Sequence, residues 1–82
     1  MQLQLTKTAF WDVDMNNMDE TKHAEFIIVR IFQYGLMDDI KKILRFYSPN
    51  QIKEAFKHTR GVDKKAIALA SVAIGANENE LI

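Results

Sequence analysis

The chain has no cysteine. That absence removes disulfide staples, thiolate catalysis and the usual structural zinc sites. Long apolar runs are missing too. The longest stretch without a charge runs from Ala66 to Asn77 and is mostly small residues, whereas a membrane-spanning helix needs roughly 20 strongly apolar ones. The opening Met1-Gln2-Leu3-Gln4-Leu5-Thr6 carries neither the basic region nor the apolar core of a signal peptide. These absences lead to the expectation of a cytoplasmic protein with no membrane contact. Glycine is scarce, with three in the chain, and none lies in a phosphate-cradling loop.

What is present describes one domain. Of the 82 residues, 48% are apolar and 27% charged, too hydrophobic for disorder. The net charge is zero, but the charges are segregated. Residues 1–40 carry seven acids (Asp12, Asp14, Asp19, Glu20, Glu25, Asp38, Asp39) against three bases (Lys7, Lys22, Arg30), a net of −4. Residues 41–65 carry eight bases (Lys41, Lys42, Arg45, Lys53, Lys57, Arg60, Lys64, Lys65) against two acids (Glu54, Asp63), a net of +6. Glu78 and Glu80 contribute the remaining −2. A molecule so divided can attract an anionic partner, or pair head to tail with itself.

The pattern predicts an all-α fold, a compact bundle of about four helices over residues 1–82, with an irregular arm at 1–18 and a frayed polar tail at 76–82. Gln2-Leu3-Gln4-Leu5 alternates, which suits a short edge strand or arm. Phe10 and Trp11 are the bulkiest adjacent pair and are expected to anchor the arm by burial. The first helix is placed at about 19–34, with Asp19 as N-cap, or with Asn17 and Glu20 three residues later as an alternative, box-like start, and Gly35 as a left-handed C-cap. Ile27, Ile31 and Tyr34 form its stripe, with Ile28 and Phe32 beside it, a face wide enough for the central helix. A second helix at about 38–47 buries Ile40, Ile43, Leu44 and Tyr47, and Asp38 and Asp39 favour its N-terminal end. Ser48-Pro49-Asn50-Gln51 reads as a capped start for a third helix, with proline at its first position and glutamine at its third. That helix runs to about Arg60, stops at Gly61, and buries Ile52, Ala55, Phe56 and Thr59. The fourth starts near Asp63 and ends before Gly75. Its segment Ala66–Ile74 is apolar nearly all round, so it is either enclosed or shared with a partner, and a homodimer through this helix is expected.

Catalytic and metal-binding patterns are thin, and no cofactor is expected. Asp12 and Asp14 form an Asp-x-Asp pair that could hold a divalent ion on a strand, but a transferase would also need a glycine loop and a further carboxylate strand. Both read better as solvated turn or capping groups. His23 and His58 are far apart, and neither has a second ligand at the i+4 spacing of a zinc helix. His58 is expected to meet the dipole at the end of the third helix. The hydroxyl residues have no base at a nucleophile spacing, and Ser48 is explained as a cap.

The basic segment is the most informative feature. Lys53, Lys57 and Arg60 fall at i, i+4 and i+7 on the third helix, and Lys41, Lys42 and Arg45 lie on the polar side of the second. Lys64 and Lys65 open the fourth. Two helices joined by a short link, the second basic, resemble a helix-turn-helix in outline, and Asn50 and Gln51 stand where base edges are read. The same lysines also suit the solvated side of ordinary amphipathic helices, or a dock for an acidic protein.

Phe10-Trp11-Asp12-Val13-Asp14, Met18-Asp19, Lys22-His23, Phe26-Ile27-Ile28-x-Arg30 and Tyr34-Gly35 together resemble a family of small bacterial proteins of unknown function. That family has a Phe-Trp-Asp opening, an Asp-x-x-Lys-His helix start and a Phe-Ile-Ile-x-Arg…Gly first helix. The resemblance covers about residues 9–75 and continues more loosely through Ile52-Lys53-Glu54. It implies no transferable activity. It implies neighbours of nucleotidyltransferase-type toxins, and with them an antitoxin-like role. The alanine-rich fourth helix departs from the family's pattern. The functional expectation is a non-enzymatic interaction module with a protein partner, antitoxin-like or regulatory, with a DNA-binding regulator as the alternative.

Overall fold

A computed structural model describes Leu5, Phe10 and residues 17–81. Among these the chain is helical, with no strand. In order it forms α1 (Ala24–Tyr34), α2 (Met37–Phe46), α3 (Pro49–His58) and α4 (Lys64–Ile74), followed by a short 3-10 turn, Glu78–Leu81. The four-helix architecture expected from the sequence is therefore present.

α1 is the central element. Ile27, Ile28, Val29, Ile31 and Phe32 are all buried, covering more than half of the helix circumference, and α2, α3 and α4 each pack against it. Ile40 and Ile43 come from α2, Ile52, Ala55 and Phe56 from α3, and Ala66 and Ala70 from α4. The rings of Phe32 and Phe56 meet edge-on, with centroids 5.6 Å apart at 68°, the favourable geometry for two aromatic quadrupoles. Leu5 and Phe10 join the same core.

The helix ends depart from expectation in instructive ways. α1 begins at Ala24, not Asp19. Asp19 does cap, but it caps the preceding turn: its Oδ1 accepts from the Thr21 and Lys22 amides at 2.8 and 2.9 Å. These bonds, the Lys22 one foremost, hold the Asp19 carboxyl below its ordinary value. The Glu20 carbonyl in this turn accepts from the Tyr47 hydroxyl at 2.8 Å. Tyr47 is buried, and that burial, ahead of the charges of Glu20 and Asp19, pushes its phenol up to about 12.

Gly35 is not a left-handed cap. Its φ of −80° and ψ of 168° are extended, and its amide donates to the Ile31 carbonyl at 2.8 Å. The site excludes a side chain for another reason: a Cβ there would stand 2.7 Å from the Ile31 oxygen and 3.0 Å from its Cγ2. Because the chain leaves the helix here, Tyr34 ends beyond the core and is exposed, although it lies on the Ile27–Ile31 stripe.

α2 starts at Met37 and ends at Phe46. Buried Asp39 closes its first turn by accepting from the Leu36 amide at 2.9 Å, a more specific task than favouring a dipole. α3 starts as the sequence predicts. Ser48 Oγ accepts from the Gln51 amide at 3.2 Å and Gln51 Oε1 accepts from the Ser48 amide at 2.8 Å. It ends two residues before the expected Arg60: Thr59 is already extended, at φ −108° and ψ 126°, and its hydroxyl donates to the Ala55 carbonyl at 2.8 Å. α4 is capped by Asp63, which accepts from Lys65 at 3.1 Å, and closes on left-handed Gly75 at φ 70°. The monomer covers one side of α4: Ala66, Ala70 and Ser71 are buried, Ile67, Ala68, Leu69 and Ile74 are half-buried, and Val72 is 80% exposed.

Within the expected frayed tail, Glu78–Leu81 forms the 3-10 turn. Leu81 is buried at 1% exposure, and the 3-10 turn packs against α3 and α4. Glu80 Oε2 accepts from the Asn77 amide at 2.8 Å, and Glu80 Oε1 meets Lys53 Nζ at 3.3 Å. No helix among the described residues is long and apolar enough to cross a membrane.

Candidate functional site

Of the eight basic residues singled out, Lys41, Lys42 and Arg45 on α2, Lys57 on α3, Arg60 beyond it, and Lys64 and Lys65 on α4 are exposed. Lys53 is half-buried against the final turn and paired with Glu80. That pairing, after the Asn77 amide, holds the Glu80 carboxyl below its ordinary range. The Lys53–Lys57–Arg60 stripe therefore has one member whose ammonium is already met. Asn50 and Gln51 are exposed at the start of α3, and the Gln51 carbonyl oxygen is committed to the cap. Phe10 is buried at 2% exposure with its ring 6.4 Å from that of Phe26, so half of the aromatic anchor is in place. Trp11, Asp12 and Asp14 lie outside the described residues.

His58 does not end its helix as a lone dipole partner. Its Nδ1 lies 2.5 Å from Glu25 Oε2 on α1, and its Nε2 lies 3.3 Å from Glu54 Oε2 on α3. The Glu25 hydrogen bond is the main reason that the imidazole is held above its ordinary value, with the charges of Glu25 and Glu54 adding and burial and Lys57 opposing. His23 serves differently: its Nδ1 accepts from the Asp19 amide at 3.0 Å. Among the described residues no group of three or more His, Cys, Asp or Glu side chains is arranged to hold a metal ion.

Two open grooves flank the Glu25–His58 contact. The first, about 590 Å³, lies between the approach to α1 and the start of α3 and is lined by Lys22, His23, Glu25, Asn50, Gln51 and Glu54, among others. The second, about 490 Å³, runs along the outer side of α1 to the α3–α4 loop, past Phe26, Arg30, Tyr34, Thr59 and Arg60. The Arg30 guanidinium lies over both the Phe26 and Tyr34 rings, 4.8 and 5.6 Å from their centroids, at the i, i+4 and i+8 positions that place side chains in a row.

Sequence reasoning missed the apolar corner beside this groove. Where α1 gives way to α2, Tyr34, Leu36 and Met37 are 57%, 60% and 59% exposed, and Phe46 is exposed at the other end of α2. Leu36 and Met37 belong to no stripe of either helix, which was the available signal: two large apolar residues placed at a helix boundary without a periodic reason to be buried.

A family model described as a family of unknown function, DUF6922, matches residues 5–56. The match spans α1, α2 and α3 up to Phe56 and leaves α4 and the final turn outside. No curated protein and no solved structure matches the chain.

Proposed function

The chain belongs to this family of unknown function, DUF6922, and on that premise we propose that it works as a non-enzymatic protein-interaction module, antitoxin-like or regulatory, in a bacterial cytoplasm. The observation that carries the reading is the exposed corner of Tyr34, Leu36 and Met37. Isolated exposed apolar residues are ordinary, but three large ones within four positions at a helix junction concentrate apolar surface of the kind that contacts partners. Replacing Leu36 and Met37 together with lysine is the test. The double variant keeps its melting temperature, because neither side chain is in the core, and loses whatever co-purifies stoichiometrically with the wild type from the native host. Retention of the same partner by a folded double variant would overturn the assignment of this corner.

A DNA-binding regulator is the second reading, favoured by the exposure of Lys41, Lys42, Arg45, Lys57, Arg60, Lys64 and Lys65. Six of the eight basic residues in this segment are lysines, which act as point charges on phosphate and read bases poorly. Retardation of unrelated duplexes that falls steeply with salt supports this reading; absence of retardation at low salt removes it. The exposure of Val72 similarly supports self-association through α4, which sedimentation at high micromolar concentration tests.

A further inference from the structure

His58 faces a carboxylate at each ring nitrogen, Glu25 at 2.5 Å from Nδ1 and Glu54 at 3.3 Å from Nε2. The Glu25 contact is a hydrogen bond and the Glu54 contact an ion pair; a carboxylate beside each ring nitrogen favours the imidazolium, which alone carries an N–H on both. The two acids come from different elements. Glu25 is in the first turn of α1, and Glu54 is one turn before His58 on α3. We propose that His58 is a proton-operated clasp between α1 and α3: protonated, it holds Glu25 and Glu54 together; neutral, it keeps Glu25 and releases Glu54.

The order of release follows from the geometry. A neutral ring has one N–H. The short Nδ1 contact to Glu25 retains it, and Nε2 then turns a lone pair towards the Glu54 carboxylate, which repels. Glu54 is half exposed and free to swing into water or into the first groove, whose wall it forms with Glu25. Loss of the proton thus leaves the two carboxylates of that groove without the imidazolium's positive charge between them and frees one of them to move. The other charge beside the ring is Lys57, the preceding residue on α3, which opposes protonation; Glu25 and Glu54 favour it and outweigh Lys57. The balance raises the folded-state value above that of the unfolded chain. The stabilisation is therefore fully present below about pH 6.5 and is lost as pH rises through the raised value. The ring is more than half exposed, so proton exchange with water meets no barrier.

Imidazole nitrogen NMR of the whole chain from pH 5 to 9 tests this. His58→Gln deletes one of the two ring spin systems and so assigns His58 against His23. The expected results are a midpoint above 6.5 for His58, a return towards 6.5 in Glu25→Gln, a smaller fall in Glu54→Gln, and a Glu54 carboxyl signal that follows the His58 midpoint. Above that midpoint the remaining proton sits on Nδ1, whereas a free histidine prefers it on Nε2. Melting curves confirm that each variant is folded. A midpoint at or below 6.5, an Nε2–H tautomer at pH 9, or a Glu54 signal that ignores His58 would each overturn the proposal.

Discussion

Two short segments of this chain use the same local device and reach different ends. At the α2–α3 junction, Gln51 accepts from the amide three residues back, at Ser48. In the last turn, Glu80 accepts from the amide three residues back, at Asn77. The first has a reciprocal partner, since Ser48 Oγ accepts from Gln51, and proline at the next position has its dihedral already set. The second has no proline and leads only into a four-residue 3-10 turn. What holds that turn is distant: Leu81 is buried and Lys53, 27 residues earlier, meets Glu80. A bond pattern within three residues is enough to start a helix where the following residues continue it; elsewhere it needs the tertiary fold.

Leu81→Ala breaks the comparison most severely. Truncating a buried leucine costs about 2–5 kcal/mol, which at about 4–8 °C per kcal/mol for a domain of this size is a large drop in melting temperature. A shift near zero would mean that the last turn is held by its polar contacts alone. Ser48→Ala is intermediate. It removes one half of the capping box and is expected to cost about 1 kcal/mol, read by chemical denaturation at constant m-value, with the Leu36–Met37 corner undisturbed. The smallest effect is expected from Glu80→Gln. Its pair with Lys53 is exposed on the acid's side and screened by salt, and the amide oxygen still accepts from Asn77. Its loss of melting temperature should be a small fraction of that for Leu81→Ala and should vanish at 1 M salt; an effect as large as the leucine's would reverse the ranking of polar and apolar contributions to the tail.

The same contrast explains what could be read from the sequence. The helices of α2 and α3, their buried residues Ile40, Ile43, Ile52, Ala55 and Phe56, and the Ser48 cap were legible because each rests on spacings of seven residues or fewer. The order of the tail was not, because it depends on what Leu81 meets across the fold. His58 looked like a helix-end cation because its stronger partner, Glu25, is 33 residues away. Gly35 looked like a left-handed cap because glycine after a helix usually is one; here the close approach of Ile31 selects it. The basic residues were placed correctly on exposed surface, except that nothing local shows Lys53 turning to Glu80. Tyr34 sat on the right stripe, but one turn past where the core ends.

The hydroxyl of Tyr47 joins parts of the chain that would otherwise open independently. It stands at the end of α2 and donates to Glu20, in the turn whose amides Thr21 and Lys22 are held by Asp19. One residue further on, Ser48 holds the amide of Gln51. Two capped turns, separated by all of α1 and α2 in sequence, thus share a fastener. In hydrogen exchange they are expected to behave as one cooperative opening unit, with the amides at Thr21, Lys22 and Gln51 exchanging in step. Removing the hydroxyl with Tyr47→Phe would let them exchange at separate rates while the helices between them stay closed.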